Sequence, residues 1–189
     1  MRETEPILWR YVTFAFACGA IGGSALDALH THSGTIVYAR EWFAKMAWWT
    51  PLLFGATGVI ALGAYPLIER RLRRSLAPPA KPSHLAIGVV VFALLYAASG
   101  FLAVSNAAKL FVMLAGALGL FALLGRSLGS IGIALIAATM GSVVEASLIY
   151  AGAFRYVTPD RFGIPMWLPG LYAVGAFALG PLGARLWRT

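Results

Sequence analysis

Six apolar stretches follow one another along this 189-residue chain and leave room for little else. A helix needs roughly 20 apolar residues to cross a bilayer. The stretches at about 7–29, 46–68, 85–104, 106–124, 128–154 and 164–186 all meet that length. The chain is 60% hydrophobic and 12% charged, against about half and a quarter in a soluble domain. The sequence therefore predicts a single all-α integral membrane domain over residues 1–189, a six-transmembrane-helix bundle. Residues 30–45 read as a mixed loop along the interface. Residues 69–84, with Pro78, Pro79 and Pro82, read as a basic break between two hydrophobic pairs. The first stretch is long and lacks a small-residue cleavage site, so it is expected to be retained.

A net charge of +8 would suggest nucleic acid in a soluble protein, but here the basic residues lie between spans, where Lys/Arg excess orients membrane helices. Arg2, Arg10, Arg70, Arg71, Arg73, Arg74, Lys81, Arg126, Arg185 and Arg188 fall on one side. Only Arg40, Lys45, Lys109, Arg155 and Arg161 fall on the other. The richer side is expected in the cytoplasm with both termini. Lys109 is expected to snorkel from a helix end. The lone Cys18 has no internal partner for a disulfide.

Glu145 is the one acid well inside a span, after an uncharged run over 127–144. Ionisable groups at that depth are costly and face a bundle or a polar cavity. Desolvation favours the neutral acid, able to donate a hydrogen bond to a ligand or to a neighbouring helix. Ser142 shares its face one turn back. No second carboxylate or histidine is expected at like depth in another helix, which disfavours a proton relay. Asp27, His30 and His32 offer too few converging ligands for a metal and read as a helix-end hydrogen-bond set. Trp48 and Trp49 read as interface anchors, with a lipid portal as the functional alternative. Thr158-Pro159-Asp160 reads as a cap for the sixth helix. Glycines at helical spacing, Gly19/Gly23, Gly141 and Gly175/Gly180/Gly183, read as internal packing positions. No hydrolase elbow, phosphate loop, zinc signature or paired-cysteine set occurs, so no enzyme and no cofactor are expected.

Several motifs resemble the Insig (insulin-induced gene) family. They are Ala47-Trp48-Trp49-Thr50-Pro51, Tyr65-Pro66-Leu67-Ile68, Arg126-Ser127, and Tyr150 through Gly152 with Tyr156, Thr158-Pro159-Asp160 and Trp167-Leu168-Pro169. The resemblance is collinear from the second span to the sixth. It implies a six-helix bundle with cytosolic termini that binds an oxysterol and regulates membrane partners without catalysis. In animal members the partners are Scap and hydroxymethylglutaryl-CoA reductase. The family aspartate needed for partner binding is Gly125 here, so Scap binding is not expected. A family glutamine that matters for sterol binding falls on Ala108, and a family phenylalanine on Val91 beside Phe92. A composition rich in Ala, Gly and Arg points to a prokaryotic relative in a bacterial plasma membrane. A eukaryotic source would place the chain in the endoplasmic reticulum.

The expected ligand is one neutral amphipathic lipid, of oxysterol or diacylglycerol type. Phe92, Leu95 and Phe54 are the expected walls, Glu145, Ser142 or Ser99 the polar anchors, and Tyr96 and Trp49 the edges. The alternatives are a small transporter or flippase, a scaffold for another membrane protein, and a homo-oligomer.

Overall fold

The computed structural model describes residues 5–72, 80–125 and 127–188. Arg2, Arg73, Arg74, Pro78, Pro79 and Arg126 of the charge and linker readings lie outside them. Six helical rods are present among the described residues. The first, α1, covers 5–32 as Glu5–Cys18, a wide turn at Gly19–Gly23, and Ser24–His32. Then come α2 (Thr50–Leu72), α3 (Pro82–Phe101), α4 (Asn106–Leu120, continued by a wide turn at Phe121–Gly125), α5 (Leu128–Tyr150) and α6 (Leu168–Arg188). Two short strands, β1 (Ile36–Tyr38) and β2 (Phe154–Tyr156), pair antiparallel. The expectation of six helices holds, with this ribbon added.

Several ends differ from expectation. The second and sixth helices begin at Thr50 and Leu168, not at 46 and 164. The apolar residues before them form tight turns closed by the bridges Phe43↔Met46 and Arg161↔Ile164. Ala44, Lys45 and Phe162 hold positive φ there, at 50°, 59° and 56°. Two-residue hairpins of this hand demand that conformation, which side chains other than glycine resist. The fifth helix stops at Tyr150, not 154. Gly152, at φ 74°, ends it: its amide bonds Ile149 O and the next amide bonds Leu148 O, the pairing of a Schellman stop. Ser105 and Ser127 cap α4 and α5, accepting from the amides of Ala108 and Ser130 at 3.2 and 3.1 Å.

Among the described residues, five rods are long and apolar enough to cross a bilayer. The exception, α6, is enclosed by the others. It packs against α2, α3, α4 and α5, and Val174, Gly175, Ala178, Gly180, Pro181, Gly183 and Ala184 are buried. Small residues let backbones approach closely where lipid supplies no hydrophobic drive. On α2, a Cβ added to Gly58 would lie 2.6 Å from Ala15 O and 2.7 Å from Gly19 Cα, so α1 and α2 cross at a glycine pair. Tyr11 of α1 donates to Leu62 O at 2.7 Å and stacks edge-on against Trp187 at 4.8 Å. Tyr11 in the first rod and Trp187 in the last thus lie at one end of the bundle.

The architecture also contains a repeat that the sequence reading missed. Residues 118 apart match: Gly23-Ser24-x-x-Asp27 with Gly141-Ser142-x-x-Glu145, Gly34 with Gly152, Tyr38 with Tyr156, and Trp49-x-Pro51 with Trp167-x-Pro169 (156 less 38 and 145 less 27 both give 118). The structure obeys the same offset. Gly34 and Gly152 share φ values of 73° and 74°. The two bridged turns correspond, and the Ala39 N→Ala153 O bond is mirrored by Val157 N→Thr35 O. In the ribbon the central pair is Val37↔Arg155, themselves repeat mates. A pseudo-two-fold axis therefore passes between them and relates α1-β1-α2 to α5-β2-α6.

Candidate functional site

The ribbon aims two tyrosines inward. Side chains alternate across a strand, so Ile36, Tyr38, Phe154 and Tyr156 are buried while Arg155 is exposed. Tyr156 donates to Glu145 Oε2, and Tyr172 of α6 donates to Glu145 Oε1 at 2.7 Å. The carboxyl expected to donate instead accepts on both oxygens. The repeat mate is built alike: Tyr38 donates to Asp27 Oδ2 at 2.8 Å. Burial first, and then the neighbouring Asp27, hold the Tyr38 hydroxyl well above the ordinary tyrosine range. Burial and then Glu145 do the same for Tyr156. Both therefore stay protonated donors.

Asp27 thus corrects two expectations. It is a second carboxylate at matching depth in another helix, within electrostatic reach of Glu145, and its partner lies on the ribbon. His30 is also deep, 1% exposed. The Ser99 hydroxyl donates to Tyr96 O at 2.7 Å, which leaves His30 Nε2, 2.8 Å from that hydroxyl, as the donor. Lys109 does not snorkel. It is buried, and its Nζ donates to Ser99 O at 2.7 Å at the end of α3, where cations are favoured.

Tyr96 lies between the two acid–tyrosine units. Asp27, Glu145, Tyr172 and Tyr38 are all within electrostatic reach of it. Its ring stacks on His30 at 4.4 Å and meets Phe92 edge-on at 6.0 Å. Its hydroxyl has no hydrogen-bond partner among the described residues. Tyr96, Glu145 and Tyr172 sit deep among protein atoms, yet each retains accessible surface. Phe92, Leu95 and Leu148 pack beside the same core.

The other anticipated residues scatter. Ser142 spends its hydroxyl on Ala138 O at 2.7 Å, and Ser99 spends its own as described. Trp49 lies against Tyr38 at 5.7 Å, while Trp48 is exposed. Phe54 packs at the α1–α2 crossing, where a Cβ on Gly23 would meet its ring. Ala108 lies in the first turn of α4. Asp160 does not cap α6. Its Oδ2 accepts from Asn106 Nδ2 and Met166 N, both at 2.8 Å, and so pins the loop before that helix. Gly125 is hemmed in, since an added Cβ would lie 2.8 Å from the Phe121 ring and 3.0 Å from Ser130 Oγ.

No protein-family model matches the chain. The chain is 26% identical to the insulin-induced gene 1 protein of Xenopus tropicalis over 175 residues, covering 90% of this chain and 70% of that protein. The human insulin-induced gene 1 protein is likewise 26% identical over 90% of this chain, which spans 63% of its length. Among solved structures, the mycobacterial Insig homolog MvINS of Mycobacterium vanbaalenii superposes with a TM-score of 0.78 over 93% of both chains at 22% identity. A cross-linked MvINS trimer gives 0.79 over 94% of both. The structural likeness speaks for the fold. In sequence over nine tenths of its length, and in fold over nearly all of it, this chain is similar to Insig proteins, and its apolar rods mark it as a multi-pass integral membrane protein.

Proposed function

We propose that this protein is a non-catalytic lipid sensor of a bacterial plasma membrane, holding one neutral amphipathic lipid of sterol or diacylglycerol type inside the bundle. The observation that carries the reading is the Tyr96 hydroxyl, without a hydrogen-bond partner among the described residues and within electrostatic reach of Glu145, with both residues only partly buried. Ligand sites combine apolar walls with a few placed polar groups. Here Phe92, Leu95 and Leu148 are the walls. Glu145 accepts from a lipid hydroxyl, and Tyr96 donates to a lipid oxygen. Sensing follows if the lipid binds one helix arrangement better than another. In this reading the end holding Tyr11 and Trp187 faces the cytoplasm, which the excess of basic residues on that side supports. Self-association into a homo-oligomer is part of this reading, supported by the trimeric state in which MvINS was cross-linked.

The test is lipid extraction from protein purified in several detergents, followed by mass spectrometry. About one lipid per chain in each detergent is the expected result, and empty protein throughout overturns the reading. A small transporter is the second reading, favoured by the internal repeat, since parallel repeats place substrate sites at their interface. Flux into proteoliposomes that requires Glu145 would select it over a sensor.

A further inference from the structure

Two acid–tyrosine units built alike stand on either side of the pseudo-two-fold axis, but they differ in exposure. Glu145 retains accessible surface. Asp27 is 3% exposed, so it offers a ligand beside Glu145 little surface. The Asp27 unit therefore serves the site at second hand, and the ribbon supplies the linkage. The ribbon has three residue pairs. A two-stranded piece that short is not stable alone, so its position depends on what ties it to the helices. The tyrosine ties run to α1 through Asp27 and to α5 and α6 through Glu145. Between them runs a row of rings, Tyr38 to Phe154 at 5.5 Å and Phe154 to Tyr156 at 6.0 Å.

We infer that Asp27 is a positioning residue of the lipid site. Through Tyr38 and the ribbon it fixes Tyr156, and with Tyr156 the presentation of the Glu145 carboxyl to a lipid hydroxyl. The inference rests on the lipid-binding reading above. Loss of the Asp27 tie frees one end of the ribbon, so Tyr156 wanders relative to Glu145 and the acceptor loses its fixed direction. The repeat also names the conservative replacement, because the mate position holds a glutamate that makes the same bond to the same kind of tyrosine.

The experiment is native mass spectrometry of the full chain in detergent, titrated with dioleoylglycerol and separately with 25-hydroxycholesterol. Wild type is compared with Asp27→Leu, Asp27→Glu, Tyr38→Phe, Glu145→Gln and Asp27→Leu/Glu145→Gln. Melting of each lipid-free variant reports folding. Asp27→Leu and Tyr38→Phe are expected to weaken the better-bound probe about tenfold, the equivalent of one misplaced hydrogen bond, and to narrow the preference between the two probes. Asp27→Glu is expected to restore affinity to within about threefold. The double variant is expected to bind no more weakly than Glu145→Gln alone, because contacts acting through one group are not additive. If Asp27→Leu and Tyr38→Phe lower melting but leave the affinity of the folded fraction within about twofold of wild type, Asp27 is purely structural and the inference is overturned. If wild type binds neither probe, the lipid-binding reading itself fails and takes the inference with it.

Discussion

Replacing Gly183 with valine is expected to prevent the bundle from forming. A Cβ at that position would overlap the carbonyl oxygen of Leu62 on α2. That oxygen already accepts from Tyr11 at 2.7 Å, and Gly183 O accepts from the same hydroxyl at 3.2 Å. Three helices meet at this point, and the clash is with backbone rather than a rotatable side chain. Overpacking typically costs about 1–3 kcal/mol where neighbours can shift. Here the cost is expected above about 4 kcal/mol, a large part of a stability of about 5–15 kcal/mol. Size exclusion and thermal melting in detergent will read this as aggregation or loss of a cooperative transition. Gly183→Ala is expected to show a weaker form of the same defect. Wild-type melting of Gly183→Val would refute the close approach of α2 and α6 on which the enclosed position of α6 depends.

Glu145→Leu is expected to strip the bound lipid and to loosen the fold around it. Leucine removes the acceptor of both Tyr156 and Tyr172. Each buried hydroxyl left unpaired costs about 1–3 kcal/mol, so the melting temperature falls even without lipid. Lipid retained through purification is expected to drop about tenfold or more, because the polar anchor is lost while the apolar walls remain. Glu145→Gln keeps one acceptor oxygen for a tyrosine and should fall between wild type and leucine in both measurements. Full lipid content in Glu145→Leu, with normal melting, would show that the carboxyl neither binds the head nor holds the tyrosines.

Where the spans lie was legible because nothing but a membrane crossing explains uncharged runs of this length. Where they end was less so. Met46 through Trp49 and Ala151 through Phe154 are apolar enough to extend a helix, but Gly152 at positive φ and the bridged turn before Thr50 break it. Glu145 stood out as an isolated charge. Its partners did not, because Tyr156 and Tyr172 lie 11 and 27 residues away and reach it only through the ribbon and α6. Asp27 was read as a helix-end group because it falls near the end of its span. The signal that it belonged with Glu145 was the 118-residue offset shared by Gly-Ser-x-x-acid, Gly-x-x-x-Tyr and Trp-x-Pro, too sparse to notice one motif at a time. Lys109 was misjudged for a different reason. Snorkelling describes a cation near a helix end with lipid around it, whereas this one faces the end of α3 and finds a carbonyl there.

Photolabelling reaches the central claim most directly. Purified protein in bilayers is exposed to a diacylglycerol bearing a photoreactive group near its head, irradiated, digested and sequenced. The expected adducts fall on the α3 and α5–α6 peptides that carry Tyr96, Glu145 and Tyr172, are displaced by unlabelled lipid, and vanish in Glu145→Leu. Adducts confined to exposed positions on the outer face of α5, such as Leu135, Ile136 and Met140, and insensitive to competitor, would contradict an interior lipid site.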